Sequence, residues 1–349
     1  MRMSSTEPST ATRWINGIVS PSEVTGALRL FCFAHAGGGA SVFRSWMPQL
    51  APGIEVYPIQ LPGREGRWLE PRITRASDLM QALLDALGPL FQPPFAFFGH
   101  SMGALMAFEL ARELRRRDRP IPEILIVSGA RAPHVADPDP PMHQLPDGLL
   151  LEELKRLDGI PAELLEQPEL VSMLLPTLRA DLTMCETYEY RVEPPLDCRI
   201  SVYGGESDRK IRLEHLTPWE VHTAREFQVR IFPGSHFFFV KESRAAVRDA
   251  LCEDCRPYVK QVIQVSQAPQ RVQLEQMIAG VWADLLRLPH VGIDDNFFDL
   301  GANSLLMIQA HGKLREAAIN TLSVLDLFQY PTVRLLASAI GDSPTGFGK

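Results

Sequence analysis

The sequence predicts an α/β fold with a mostly parallel sheet, followed by a small all-α four-helix bundle. Residues 26–256 alternate short apolar segments with helical patterns, which is typical of a parallel sheet covered by helices. A polar, proline-containing stretch at 257–270 interrupts this pattern and is interpreted as a linker. Apolar residues at helical spacing resume over 271–341 and predict the bundle. The length of 349 residues is enough for two such domains.

Six short apolar segments are predicted as the strands of the sheet. They are Leu28–Ala34, Ile54–Ile59, Phe95–Phe98, Ile124–Ser128, Arg199–Tyr203 and Gln228–Phe232. Between about residues 140 and 190 the strand signals stop, and amphipathic helices are predicted at Leu149–Leu157 and Pro168–Glu186. We expect this helical insertion to form a lid over the carboxyl ends of the strands, where α/β active sites lie. Packing against a face of the sheet is the alternative.

Composition narrows the classes of function. Residues 1–25 are predicted to be a disordered leader rather than a secretory signal, and 342–349 a tail. A net charge of −7 without a long basic stripe argues against a nucleic-acid partner. The sequence contains no run of eighteen apolar residues, so it predicts no membrane span. Five cysteines without framework spacing suit a reducing cytoplasm, and the Cys252/Cys255 pair lacks the further ligands of a metal site.

The most informative segment is Gly99-His-Ser-Met-Gly103, which joins a predicted strand to a predicted helix. This order predicts a nucleophile elbow, in which a tight turn exposes the Ser101 hydroxyl to a base. The Gly-x-Ser-x-Gly pattern alone is common, and a surface Gly-Ser turn is the alternative. The apolar strand before it and the helix after it favour the elbow.

A serine nucleophile needs a base that is oriented by a third group. In α/β-hydrolases these residues follow one another in the order Ser, Asp or Glu, His. Asp208 follows one predicted strand and His236 follows the next, so both match that order. We therefore predict Ser101, Asp208 and His236 as the catalytic residues. Glu206 is the competing acid, and a packed structural histidine is the alternative for His236 taken by itself.

Acyl transfer also requires hydrogen-bond donors for the tetrahedral oxyanion. The backbone N–H of Met102 is one candidate, because it follows the nucleophile. The second donor is expected in the loop after an early strand, which here is the glycine-rich segment Ala34–Gly39. We predict the backbone N–H of Ala36, since glycines allow a close approach of backbone to substrate.

Taken together, residues 26–256 resemble the type II thioesterases that accompany polyketide and nonribosomal peptide synthetases. The matching segments are Phe33-Ala-His-Ala-Gly-Gly38, Gln60-Leu-Pro-Gly-Arg-Glu65, Gly99–Gly103, Ser128-Gly-Ala-Arg-Ala-Pro133, Leu178-Arg-Ala-Asp181, Glu186-Thr-Tyr188 and Gly234-Ser-His-Phe-Phe238. The resemblance implies an α/β-hydrolase with a helical lid that hydrolyses acyl thioesters on carrier proteins. One residue departs from the family: Ser235 precedes the histidine, where aspartate is usual.

The second domain places Ser304 at the start of a helix, after a turn that contains Gly301. The free N–H groups there favour a phosphodiester, although helix capping by Asn303 and Ser304 is the alternative. The domain resembles acyl and peptidyl carrier proteins through Trp282, Asn296–Gly301 and Phe328–Thr332. That resemblance implies covalent 4′-phosphopantetheine on Ser304, attached by a phosphopantetheinyl transferase, and synthetase carrier domains as partners.

Three functions remain open on the sequence. The first is a serine thioesterase that releases acyl, aminoacyl or peptidyl groups from carriers as free acids. The second is an acyltransferase that moves an acyl group through Ser101 to or from the arm on Ser304. The third is a carrier and docking scaffold with an inactive hydrolase domain, against which the complete set of catalytic residue types argues.

Overall fold

The protein is described from a computed structural model, in two compact units that comprise residues 1–263 and 264–349. The described residues are 13–15, 27–46, 50, 53–157, 167–259, 268–316 and 322–341. Most of the predicted leader, most of the predicted linker and the tail lie outside them. No helix in these ranges is both long enough and apolar enough to cross a membrane.

The first unit contains one fully parallel six-stranded sheet. Its strands are β1 Leu28–Phe33, β2 Ile54–Pro58, β3 Phe95–His100, β4 Ile124–Ser128, β5 Arg199–Gly205 and β6 Phe227–Phe232, in the order β2-β1-β3-β4-β5-β6. All six predicted strands are present, so the predicted fold class is confirmed. The largest differences are at β3 and β5, which each run two residues further; β3 does so because His100 still pairs with Ser128.

Two apolar layers cover the sheet because side chains alternate along each strand. On β1, Phe31 and Phe33 belong to one layer, while Leu28 and Leu30 belong to the other. Helices α1 Ala76–Leu87 and α2 Met102–Arg116 contribute to the first layer. The C-terminal helix of this unit, Arg244–Cys255, contributes to the second layer.

Two helices lie between β4 and β5, where the sequence predicts a lid. They are α3 Asp147–Arg156 and α4 Pro168–Glu186. Helix α3 begins two residues before the predicted Leu149, because Pro146 precedes it and an acidic residue, Asp147, occupies the first turn. The two helices share a small hydrophobic cluster formed by Met142, Leu150, Leu154, Val171, Leu175, Leu178 and Leu182. After β5 a short helix, α5 Leu213–Leu216, precedes β6, and the helix Arg244–Cys255 is α6.

The second unit contains four helices among its described residues: α7 Ala268–Leu286, α8 Ser304–Glu316, α9 Val324–Gln329 and α10 Val333–Gly341. Their core includes Trp282, whose ring stacks on Phe297 at a centroid distance of 4.2 Å. The expected four-helix bundle is confirmed. Helix α7 begins at Ala268, within the stretch 257–270 that the sequence predicts to be a linker. Pro269 is compatible with this start, since a first helical turn tolerates proline.

Candidate active site

A strained turn connects β3 to α2 at Ser101. Its backbone has φ 55° and ψ −116°, a conformation that is rare for a residue with a side chain. The Ser101 amide donates to the Ser128 carbonyl at 2.8 Å, which ties the turn to the end of β4. A Cβ at Gly99 would collide with the backbone of Gly103, and a Cβ at Gly103 would collide with the Phe33 carbonyl. Glycine is therefore required on both sides of the serine, as expected for a nucleophile elbow.

His236 and Asp208 meet in the loops that follow β6 and β5. The His236 ring contacts the Asp208 carboxylate through Nδ1 and Oδ2 at 2.7 Å. The other carboxylate oxygen accepts the amides of Lys210 at 2.9 Å and Ile211 at 3.0 Å. Burial alone would raise the pKa of Asp208, but these hydrogen bonds and the histidine hold that pKa below its ordinary value. Glu206, the competing acid, has an exposed side chain.

The His236 ring also lies close to the elbow. It packs at a centroid distance of 5.1 Å against the ring of His100, the residue directly before Ser101. Among the described residues, no hydrogen bond joins the Ser101 hydroxyl to the His236 ring. In unliganded enzymes such bonds are often long and tighten only when substrate is present. The structure thus brings Asp208 and His236 into contact and places the histidine beside the serine turn.

Two backbone amides of the glycine-rich loop after β1 already have hydrogen-bond acceptors. Gly38 N–H donates to the His35 carbonyl at 2.9 Å, and Gly37 N–H donates to the Asp181 carboxylate at 2.7 Å. Within the described part of the chain, the amides of Ala36 and Met102 have no hydrogen-bond acceptor. Two unoccupied donors therefore remain at the positions that the sequence predicts for an oxyanion hole.

Two further histidines lie near the site: His35 is half-buried and His100 is fully buried. The Nδ1 of His100 contacts Ser128 Oγ at 2.9 Å, and its ring stacks on Phe239 at a centroid distance of 4.2 Å. Burial and the nearby His236 lower the pKa of His35 to about 4, and the same two causes lower the pKa of His100. Both rings are therefore uncharged at neutral pH and pack beside His236 as neutral aromatic rings.

Three functional candidates were missed on the sequence: Gln60, Arg64 and Asp181. Each is buried, and each contacts the loop after β1. Gln60 and Arg64 lie in one segment that carries the family resemblance, and Asp181 lies in another. Both segments carry polar or charged residues beside apolar ones, which is a signal in the sequence for these three residues. The contacts between the segments cannot be predicted from the local pattern of either.

In the second unit, helix α8 begins at Ser304. The side chain of Asn303 accepts the amides of Leu305 and Leu306, both at 3.1 Å, so it caps this helix. Gly301 has φ +101°, which favours glycine, and a Cβ there would meet no atom within 4 Å. The start of α8 is therefore an open, capped helix terminus, which suits attachment of a phosphodiester at its first residue.

Comparison with known proteins assigns both units. A family model for the thioesterase domain matches residues 28–258, about two thirds of the sequence. The chain belongs to the thioesterase family. A second family model, for the phosphopantetheine attachment site, matches residues 276–340 of this thioesterase. The enzyme domain is thus fused to a phosphopantetheine-binding carrier domain, as the sequence predicts.

Individual relatives indicate which kind of thioesterase this chain resembles. It is 44% identical to the linear gramicidin dehydrogenase LgrE of Brevibacillus parabrevis, over 66% of this chain and 88% of that protein. It is 42% identical to the gramicidin S biosynthesis protein GrsT of Aneurinibacillus migulanus, over 66% and 89%. The solved structure of the type II thioesterase BorB, from the borrelidin biosynthetic cluster, matches with a TM-score of 0.61 and 36% identity, over 66% of this chain and 93% of that one. The predicted resemblance to type II thioesterases is confirmed.

Proposed function

We propose that this thioesterase hydrolyses acyl, aminoacyl or peptidyl thioesters on the carrier domains of a polyketide or nonribosomal peptide synthetase. Ser101 is the proposed nucleophile, His236 the base and Asp208 the residue that orients the base. The observation that supports this assignment best is the 2.7 Å contact between His236 and Asp208, beside a strained serine turn. The names of GrsT and BorB, which refer to gramicidin S biosynthesis and to the borrelidin biosynthetic cluster, agree with that substrate class.

The proposed reaction proceeds through an acyl-serine. The Ser101 oxygen attacks the thioester carbon while His236 Nε2 accepts the hydroxyl proton. The amides of Ala36 and Met102 stabilise the negative oxygen that forms. The carbon–sulfur bond breaks, and the thiol leaves with the proton held by His236. Water then attacks the acyl-serine, again losing a proton to His236, which returns it to Ser101 as the free acid is released.

The carrier domain holds a covalent 4′-phosphopantetheine, which supplies a terminal thiol for acyl groups when it is bound. We place its attachment at Ser304 and infer that a phosphopantetheinyl transferase installs it. The fit rests on the start of α8, where Asn303 caps the helix and a Cβ at Gly301 would meet no atom within 4 Å. All five cysteines are free, which supports the further proposal of a cytoplasmic location.

Domain limits follow from the same proposal. The hydrolase domain comprises 26–256, with its lid at about 140–190, and the carrier domain comprises 271–341. We propose a linker at 257–270. Its last three residues already belong to helix α7, which begins at Ala268. The lid proposal is supported by the separate hydrophobic cluster of α3 and α4 and by the contact between Asp181 and the loop after β1.

A second candidate function is acyl transfer through Ser101 to or from the arm on Ser304. One observation favours it: the carrier domain is part of the same chain. A short tether that can span the two sites raises the effective concentration of an attached group to roughly millimolar. Hydrolysis and transfer share the acyl-serine and differ only in whether water or the arm thiol attacks it.

The test uses the full chain, already carrying its arm, with radiolabelled acyl-CoA. Hydrolysis predicts free labelled acid from the wild type and none above background from Ser101→Ala. Transfer predicts label on the carrier arm of the wild type but not of Ser101→Ala. Ser172→Ala is the matched control, because Ser172 is an exposed serine on α4 whose hydroxyl donates to the Glu169 carbonyl of the same helix. Equal behaviour of wild type and Ser101→Ala would contradict both functions and favour the scaffold.

A further inference from the structure

The lid helix α4 is joined to the loop after β1 by one buried carboxylate. Asp181 Oδ2 accepts Gly37 N–H at 2.7 Å and Arg64 Nη1 at 2.7 Å, while Oδ1 accepts Arg64 Nη2 at 2.7 Å. The Asp181 side chain is 1% exposed and that of Arg64 6%. A bidentate pair of this kind holds its two partners in one relative geometry.

The same face of α4 makes two further contacts with the loops after β1 and β2. Leu178 lies against Gly37 so closely that a Cβ there would meet its side chain. Thr177 Oγ1 donates to the Gly63 carbonyl and accepts Arg72 Nε, both at 2.8 Å. This part of the lid is therefore fixed to the loops beside the site rather than resting on the surface.

The opposite side of the loop is held from the segment after β2. Arg64 Nη1 donates to the Gly38 carbonyl at 3.1 Å, and Gln60 Oε1 accepts the Ala40 amide at 3.1 Å. Gly37 has φ +77°, a conformation that glycine adopts without strain but that residues with a Cβ rarely adopt. Asp181 and Arg64 thus hold consecutive residues of the loop, next to the unoccupied amide of Ala36.

We infer that Asp181 is a positioning residue of the oxyanion hole: by accepting the Gly37 N–H it fixes the peptide that follows Ala36, and thereby the orientation of the neighbouring Ala36 N–H. The inference rests on the proposed function and adds a role for the lid. A donor misplaced by a fraction of an ångström stabilises the transition state less, yet it leaves ground-state binding of the acyl chain unchanged. Asp181 therefore couples the seating of the lid helix to the chemical step.

The first test compares Asp181→Asn with the wild type on a soluble acyl thioester. Asparagine replaces one carboxylate oxygen with an NH₂ group, which cannot accept from Arg64, and it removes the charge that pairs with the buried guanidinium, so the bidentate contact that holds Asp181 in place is lost. We expect kcat to fall roughly 100-fold, as on loss of one oxyanion donor, with KM within about threefold of wild type. Affinity for an acyl trifluoromethyl ketone, which forms a tetrahedral oxyanion on serine, is expected to fall in parallel with kcat. Affinity for an unreactive acyl thioether is expected to stay unchanged.

Glu186→Gln is the matched control on the same helix. Glu186 accepts the amides of Met142 and His143, both at 2.9 Å, and so holds the lid without touching the loop. It is expected to keep wild-type kcat. An equal loss in both variants would overturn the inference, because the effect would then be one of lid packing.

A double variant, Arg64→Met with Asp181→Ala, guards against simple unfolding. It removes both buried charges at once, and apolar replacement of a buried ion pair is often neutral for stability. The inference predicts a folded protein that still has the reduced kcat. Wild-type kcat in the folded double variant, or in Asp181→Asn, would overturn it. Failure of the proposed function appears elsewhere, as thioesterase activity that survives Ser101→Ala.

Discussion

The Asp208 carboxylate and the His236 ring, 28 residues apart in the chain, are 2.7 Å apart in space. An ionised carboxylate only accepts hydrogen bonds, so the contact places a proton on Nδ1 of the ring. The other nitrogen, Nε2, is then free to accept the hydroxyl proton of a serine. The low pKa of Asp208 keeps this arrangement in place over the neutral range.

Replacement of Asp208 by asparagine is expected to abolish most activity while preserving the fold. The amide no longer selects the tautomer with a free Nε2, and kcat is expected to fall roughly 10³- to 10⁴-fold. The measurement is kcat on an acyl thioester, with circular dichroism as the check on folding. Glu206→Gln is the control, because this exposed acid lies two residues away on the same loop. If Glu206→Gln lost as much activity as Asp208→Asn, the assignment of the acid would be wrong.

The elbow glycines allow a matched test of backbone crowding. Gly103 and Gly148 are each the second residue of a helix, α2 and α3. A Cβ at 103 would collide with the Phe33 carbonyl, whereas a Cβ at 148 meets no atom within 4 Å. Gly103→Ala is expected to destabilise the first unit by about 3 kcal/mol or more, because backbone must move. Gly148→Ala is expected to change stability by less than about 1 kcal/mol. Urea unfolding of the two variants measures the difference, and similar values would contradict the collision.

Much of this architecture is predictable because buried parallel strands are continuous apolar runs. The segment Ile124–Ser128 has the same limits in the sequence prediction and in the structure. The start of α7 is less predictable, since Ala268–Gln270 contains a proline and shows no helical periodicity of its own.

The site shows the same division between local and long-range information. The serine turn is local and readable, because its glycines and flanking strand are contiguous. The sequence predicts Asp208 as the acid with Glu206 as its competitor, since both follow one strand; the folded loop buries Asp208 against His236 and leaves Glu206 exposed. The pair Arg64 and Asp181 was missed because its members are 117 residues apart and no periodic pattern relates them.

Attachment of the arm is tested at Ser304. The wild type, incubated with CoA and a phosphopantetheinyl transferase, is expected to gain the mass of one phosphopantetheine, and Ser304→Ala to gain none. Ser323→Ala is the control in the same unit, because Ser323 caps α9 and is exposed. Intact-protein mass spectrometry measures the result. Modification of Ser304→Ala, or its loss in Ser323→Ala, would contradict the placement.

The stability of the first unit is expected to fall in mild acid because it buries neutral histidines. His222 is 4% exposed, and its Nε2 lies 2.8 Å from Nδ1 of His134. Burial, followed by the charges of His134 and Arg112, lowers the pKa of His222 to about 4 from an ordinary value of 6.5. The unfolded chain therefore binds a proton that the folded chain excludes. The stability is complete above pH 6.5 and is lost as the pH falls from there towards 4.

Replacement of His222 by glutamine isolates this contribution. Glutamine can still hydrogen-bond to His134 but does not titrate, so the free energy of unfolding should decline less steeply between pH 6.5 and 4. The slope is expected to decrease by up to about 1.4 kcal/mol per pH unit, the value for one proton. Urea unfolding at several pH values measures it, with His311→Gln in the second unit as control. Because His222 packs against Phe108 and Trp219 rather than against the serine turn, kcat at pH 7.5 should be unchanged. An unaltered slope in His222→Gln would show that another group causes the acid sensitivity, with His35 and His100 the next to replace.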